Sequence, residues 1–139
     1  MLLEGLIAIL IFSMGILAIV GMQATAIKNS ADAKYRSDAS YLANQIIGQM
    51  WADRSNLASY ANYPGAGTIC NPTGSASVYA NMTGMTGWLT TVSNTLPNAA
   101  ANKQQVVIGA NNLVTVTVCW QAPQENVWHN FVATAQIKG

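Results

Sequence analysis

The chain has 139 residues, of which 8% are charged against about a quarter in an average soluble protein, while 51% are hydrophobic. That length gives one domain of ordinary size plus an extra element and speaks against a two-domain enzyme. Six Lys and Arg against five Asp and Glu leave a net charge of +1, which is no basic field of the kind that draws in phosphate backbones, so no nucleic-acid partner is expected.

The apolar excess sits at the front. No charged residue occurs from Gly5 to Ile27, and from Gly5 to Met22 the one clearly polar side chain is Ser13. A helix of about 20 residues spans roughly 30 Å, the depth of a hydrocarbon core, so residues 1–22 read as a membrane-spanning half-helix. A secretory signal peptide is the competing reading. Its apolar core, however, runs about 7–15 residues between a basic stretch and a small-residue cleavage site, and no Lys or Arg precedes this run.

Gln23 to Leu57 lacks proline and is rich in residues that tolerate helix, so residues 23–57 should continue the same helix. Tyr35, Ala39, Leu42, Ile46, Met50 and Leu57 recur mostly at three- or four-residue steps, an apolar stripe that should lie against a small domain. Lys28 with Asp32, Asp32 with Arg36, and Lys34 with Asp38 are each four apart and suit the solvated face.

Residues 58–139 read as a globular β-sheet head. No charge occurs from Ser55 to Asn102, and Tyr63-Pro64-Gly65 and Asn71-Pro72 mark turns in a loop-rich stretch. One short helix is expected between Gly84 and Pro97, with Trp88, Val92 and Leu96 on its inner face. Gln105–Ile108 and Leu113–Val118 flank the turn Gly109–Asn112, a hairpin pattern. After the loop Gln121–Gln124, Asn126–Ile137 should form a third strand, with Val127, His129, Phe131, Ala133, Ala135 and Ile137 on one face and Trp128 and Val132 on the other. The expected fold is therefore α+β: a long N-terminal hydrophobic helix packed on a small antiparallel sheet.

Glu4 is the one ionisable group near the start of the apolar span, and such a group is expensive in hydrocarbon unless paired or at the interface. It either reaches headgroups or meets a cation on a neighbouring chain, such as a free terminal amine. Gly5, Gly15 and Gly21 permit close helix approach and also weaken the helix, so both packing and pliability fit Gly15 and Gly21. Cys70 and Cys119 are an even pair in a chain with an extracytoplasmic look, which points to a disulfide; two separate buried thiols are the alternative.

No metal or cofactor is expected, since one His and no CxxC spacing offer little for a metal site. No catalytic residue is assigned: no motif frames a serine, His129 stands alone, and Asp53 and Glu125 have no evident polar partner. Trp51, Trp88, Trp120 and Trp128 are expected in or beside the core. Asn81-Met82-Thr83 matches a glycosylation sequon.

The opening Leu2-Leu3-Glu4-Gly5-Leu6-Ile7-Ala8, running through an amphipathic half-helix into a sheet, resembles the type IV pilins and pseudopilins. Leu10-Ile11-Phe12-Ser13-Met14-Gly15-Ile16-Leu17 with Gly21-Met22-Gln23-Ala24 is similar to the minor pilins called type IV pilus modification protein PilV. The segment from Trp88 to Pro97 and the strand ending at Cys119-Trp120 share that likeness.

The resemblance implies a ladle-shaped minor pilin, cut and methylated by a prepilin peptidase after a basic leader. Such a subunit is held in the inner membrane with a periplasmic head before it joins the pilus. It implies work in assembly initiation within a priming or tip complex, adhesion and twitching, with other minor pilins, the major pilin and a tip adhesin as partners. Glu4 matches the glutamate that pairs with a neighbour's amine, although it stands one place earlier than usual. Gly21 stands where major pilins commonly carry a proline.

Lys28, Lys34 and Arg36 follow the span and alone would favour a cytoplasmic C-terminal side. A basic leader before Met1 is therefore expected in the reading frame. The alternatives are a minor pseudopilin of a type II secretion system and a membrane-anchored periplasmic binding module.

Overall fold

In the computed structural model the described residues are 1–79, 84–123 and 125–138. The chain divides into two compact units, Met1–Lys34 and Tyr35–Gly139. Helix α1 (Leu2–Ala52) contributes to both.

The first unit is helical from Leu2 onward, and its large apolar side chains from Leu2 to Ile27 are exposed. Ser13 Oγ donates to the Ile9 carbonyl at 2.7 Å and Thr25 Oγ1 to the Gly21 carbonyl at 3.3 Å. Both hydroxyls are thus satisfied within the helix, as a lipid surrounding requires.

In the second unit, residues 35–52 of α1 are followed by a 3-10 segment (Arg54–Tyr60) and a small hairpin of β1 (Gly65–Thr68) and β2 (Asn71–Thr73). Helix α2 (Met85–Thr95) comes next, then the strands β3 (Gln105–Ile108), β4 (Leu113–Trp120) and β5 (His129–Gln136). The last three form an antiparallel meander in the order β3-β4-β5. The fold is α+β: a long N-terminal helix, apolar at its start, whose residues 35–52 pack on a small antiparallel sheet.

The buried face of α1 is Ala39, Leu42, Ala43, Ile46, Ile47 and Met50, a helical repeat whose two alanines let the backbone come close to its neighbours. It shares one core with Met85, Trp88, Leu89 and Val92 of α2 and with Val106, Val114, Val116, Val118 and Trp120 of the sheet. Burying each such Leu, Ile or Val is worth roughly 1.5–3 kcal/mol.

α1 stops at Ala52, five residues before Leu57. Asp53-Arg54-Ser55-Asn56 ends it: the Asn56 N–H donates to the Asp53 carbonyl at 3.0 Å and its side-chain amide to Asp53 Oδ1 at 2.7 Å. These local bonds compete with the helix. Leu57 still reaches the core, carried there by the 3-10 segment.

α2 is preceded by Gly84, whose backbone is extended, and gives way to extended Leu96 before Pro97, as the residue preceding a proline prefers. Trp88, Val92 and Leu96 are buried together with Leu89. The Trp88 indole N–H donates to the Leu42 carbonyl at 2.8 Å, which ties α2 to α1.

β1 and β2, which the sequence reading treats as loop, are short and poor in β-branched residues. A side chain at Gly67 would collide with the Asn71 carbonyl and lie 2.8 Å from Pro72 Cα, so only glycine allows this close approach. The β3–β4 turn places Asn111 and Asn112 at φ 56° and 57°, a left-handed pair that asparagine tolerates.

In β5, Phe131, Ala133 and Ala135 pack on the core and Ile137 is buried just beyond it, whereas Val132 is exposed. The strand begins at His129, not at Asn126. Val127, expected on the inner face, precedes the strand and is 64% exposed.

The outer edge of β3 is covered, because Asn62 and Val106 exchange two backbone hydrogen bonds of 3.0 Å. Gln105 Nε2 adds bonds to the Tyr63 and Gly65 carbonyls at 2.9 and 3.0 Å. The register Gln105↔Thr117 would put Lys103 opposite Cys119, but Lys103 lies in a 3-10 turn. The buried Gln104 side chain takes its place: Oε1 accepts from the Cys119 N–H at 2.7 Å, and Nε2 donates to the Cys119 carbonyl at 2.9 Å.

Candidate functional site

The residues that sequence reading singles out fall into two separate places. Glu4 lies in the first turn of α1, where a carboxylate is favoured by the exposed N–H groups of the helix end. Gly5, Gly15 and Gly21 lie along the same unit, and a Cβ at any of them would meet nothing within 4 Å. The helix continues unbroken through Gly15 and Gly21. Their lack of a side chain therefore serves no contact among the described residues.

A shallow groove on this helix is lined by Ala18, Gly21, Met22, Thr25, Ala26 and Asn29. An exposed apolar surface of this extent marks a membrane or partner contact. The helix is long and apolar enough to cross a membrane.

The second place is the disulfide. Cys70 and Cys119 are joined, with their Cα atoms 5.5 Å apart, so the two-thiol alternative does not describe this fold. Cys70 sits at the β1–β2 turn with φ 63°, and Cys119 lies on the side of β4 away from α1. Both are buried. The bond fastens the small hairpin to the sheet across 49 residues, while Gln104 holds the Cys119 backbone from the β3 side.

Two polar arrangements have no sequence signal. Asp53 accepts from Tyr79 Oη at 2.6 Å, Asn56 Nδ2 at 2.7 Å and Tyr60 Oη at 3.2 Å. The Tyr79 hydrogen bond, followed by that of Asn56, holds its carboxyl below the usual aspartate value. Burial first, then the Asp53 charge, pushes the Tyr60 phenol up to about 12. A carboxylate with three donors converging on it is a poor general base. The cluster clamps the end of α1 to the 3-10 segment and to the chain at Tyr79.

Glu125, at first sight isolated, lies 2.8 Å from His129 Nε2. The His129 ring stacks on Trp120, 5.7 Å between centroids. Among the described residues, no group of three or more His, Cys, Asp or Glu side chains is gathered as a metal site would need.

Of the tryptophans, Trp88 and Trp120 are core residues, but Trp51 is 44% exposed on α1. Trp128 is half-buried, with Lys103 Nζ 5.4 Å from its ring centroid. The sequon Asn81-Met82-Thr83 lies outside the described residues. Asn62 is wholly buried and fully bonded, its amide donating to the Gln104 carbonyl at 2.7 Å and its Oδ1 accepting from the Ser77 N–H at 3.0 Å.

No protein-family model, curated protein or solved structure matches this chain.

Proposed function

We propose that the chain is a minor pilin of the PilV type. It waits in the inner membrane with a periplasmic head, then joins other minor pilins in the complex that starts pilus assembly. The observation that carries the reading is the N-terminal unit of α1: a continuous helix whose large apolar side chains all face outward and whose one carboxylate, Glu4, stands in the first turn. Such a surface suits lipid first and a bundle of like helices afterwards. A disulfide-fastened head suits an oxidising compartment outside the cytoplasm.

In this reading Glu4 pairs with the terminal amine of an adjacent subunit, setting the register between helices, and the pilus supports adhesion and twitching. The major pilin and a tip adhesin are the further partners, and a prepilin peptidase matures the chain.

Glu4→Ala tests this role in the native cell. The variant should insert in the membrane at the normal level but be depleted in sheared filaments, and equal recovery would remove the role given to Glu4. A deletion that abolishes protein secretion while leaving pili and motility intact would reassign the chain to a secretion pseudopilus.

A further inference from the structure

Where α2 ends, the head carries an open hollow of about 500 Å³ lined by Ser93, Asn98, Ala99, Ala100, Gln121 and Trp128. All six residues belong to the unit Tyr35–Gly139. Ala99 is part of the core, and Ala100 next to it is exposed, so two of the lining residues carry no more than a methyl group.

The walls are fixed by bonds between loops. The Gln121 N–H donates to the Pro97 carbonyl at 3.1 Å, Asn98 Nδ2 to the Gln121 carbonyl at 3.2 Å, and Gln121 Nε2 to the Glu125 carbonyl at 2.8 Å. Asn98 takes a left-handed φ of 53°, which asparagine tolerates, and its backbone carbonyl accepts from the Ala100 N–H at 2.9 Å. Trp128 is held by Lys103, whose ammonium lies 5.4 Å from the ring centroid and also donates to Asn71 Oδ1 at 3.2 Å. These bonds shape the site ahead of any ligand, which lowers the cost of binding one.

The lining side chains keep hydrogen-bonding capacity to spare. The amides of Asn98 and Gln121 each spend one hydrogen on a carbonyl and retain a second, together with an oxygen that accepts no bond among the described residues. Ser93 donates its hydroxyl hydrogen to the Thr90 carbonyl at 2.9 Å and retains its lone pairs. Among the described residues, the Trp128 indole N–H makes no hydrogen bond. Donors and acceptors thus stand beside an aromatic ring, and no Lys, Arg, Asp or Glu lines the hollow. The charges that flank it in the chain are engaged, Lys103 as above and Glu125 with His129 at 2.8 Å. The adjoining surface of α2 is neutral and polar too, with Thr90, Thr91, Asn94 and Thr95 exposed.

We propose that this hollow binds a neutral carbohydrate, with one pyranose ring seated on Trp128. A sugar ring offers an apolar C–H face to an aromatic platform, and each of its hydroxyls both donates and accepts, as the two side-chain amides do. An anion would find no lining cation, and a cation would find the Trp128 ring already facing Lys103. A fatty chain would strip water from the amides and the indole N–H without replacing its hydrogen bonds. The volume lies within the roughly 300–1,000 Å³ of small-molecule sites. The proposal goes beyond the pilin reading and does not rest on it.

The test titrates the isotope-labelled full chain, in micelles of a detergent without a sugar headgroup, with cellobiose, lactose and N,N′-diacetylchitobiose. At least one of them should move the Trp128 indole and the Asn98 and Gln121 side-chain amide resonances saturably, with a dissociation constant of about 10 mM or tighter. The indole of Trp51, exposed on α1, should not move.

Trp128→Ala removes the platform and Ala100→Leu fills the hollow, so each should weaken binding at least about tenfold. Trp128→Phe keeps an aromatic ring without the N–H and should fall between Trp128→Ala and the original chain. Because Ala100 is exposed, Ala100→Leu leaves the core intact, and an unchanged denaturation midpoint would show that it folds. The inference is overturned if none of the three sugars gives a saturable shift, or if folded Ala100→Leu binds as the original does. A tighter response to inorganic phosphate at the same resonances would also overturn it. Sugar binding by a chain absent from filaments removes only the pilin reading, whereas filament incorporation by a chain that binds none of the three removes only this inference.

Discussion

Gln104→Leu is the sharpest test of how the head is held together. The substitution puts an apolar side chain of similar size in a fully buried site and removes the carboxamide that pairs with Cys119. The Cys119 N–H and carbonyl lie in a residue with no exposure, so neither can turn to water. Each orphaned group costs about 1–3 kcal/mol, giving about 2–6 kcal/mol for the two. The Ala100 carbonyl, which also accepts from Gln104 at 3.2 Å, belongs to an exposed residue and adds little.

Against a domain stability of about 5–15 kcal/mol, this is a large fraction. At roughly 2–4 °C per kcal/mol, it lowers the melting temperature by roughly 4–24 °C. The assay is denaturation of the full chain in micelles under oxidising conditions, followed by the fluorescence of buried Trp88 and Trp120. Gln104→Glu separates a hydrogen-bond effect from one of shape. Once protonated, its carboxyl can donate to the Cys119 carbonyl and accept from the N–H, so the Glu variant should gain on the Leu variant as pH falls. A loss below about 1 kcal/mol for Gln104→Leu, or no pH-dependent gap between the two, would refute the reasoning.

Replacing Cys70 and Cys119 by Ala should cost about 4 kcal/mol in the chain-entropy model for a loop of this length, measured as the same denaturation shift. Trp88→Phe keeps the ring in the core but loses the bond to Leu42, so it should destabilise by about 1 kcal/mol, against about 3–5 kcal/mol for Trp88→Ala. The pH profile should fall at both ends. Asp53, with its depressed value, contributes stability above the unfolded carboxylate range that is lost as pH drops through its folded value. Tyr60 contributes stability below pH 10 that is lost as pH rises toward about 12. Asp53→Asn should flatten the acid limb and Tyr60→Phe the alkaline one, read from denaturation midpoints across pH.

The legible parts of the fold were those whose signal is periodic or long. The uncharged run from Gly5 to Ile27 can hardly be anything but an apolar helix. The repeat through Ala39, Leu42, Ile46 and Met50 named four of the six buried α1 residues, while Ala43 and Ile47 fill the rest of the same side. Alternation in Gln105–Ile108 and Leu113–Val118 gave the hairpin, and the even cysteine count gave the Cys70–Cys119 bond.

What escaped was either non-local or atypical in composition. Gln104 and Cys119 are 15 residues apart, Asp53 and Tyr79 26, and Asn62 and Gln104 42, so no window along the chain shows their bonds. β1 depends on glycines that approach the facing backbone, a composition that reads as loop. Leu57 kept the helical spacing although the helix had ended, because a 3-10 segment delivered it to the same core. The periodicity also could not show that Trp51 stands on the outer side of α1.

The most direct test of the central claim is mass spectrometry of the chain's amino terminus from two native fractions, sheared surface filaments and washed membranes. A minor pilin predicts a methylated terminus, trimmed of a leader, in the sheared fraction. An unprocessed terminus found in membranes alone would contradict it and leave an anchored periplasmic module in its place.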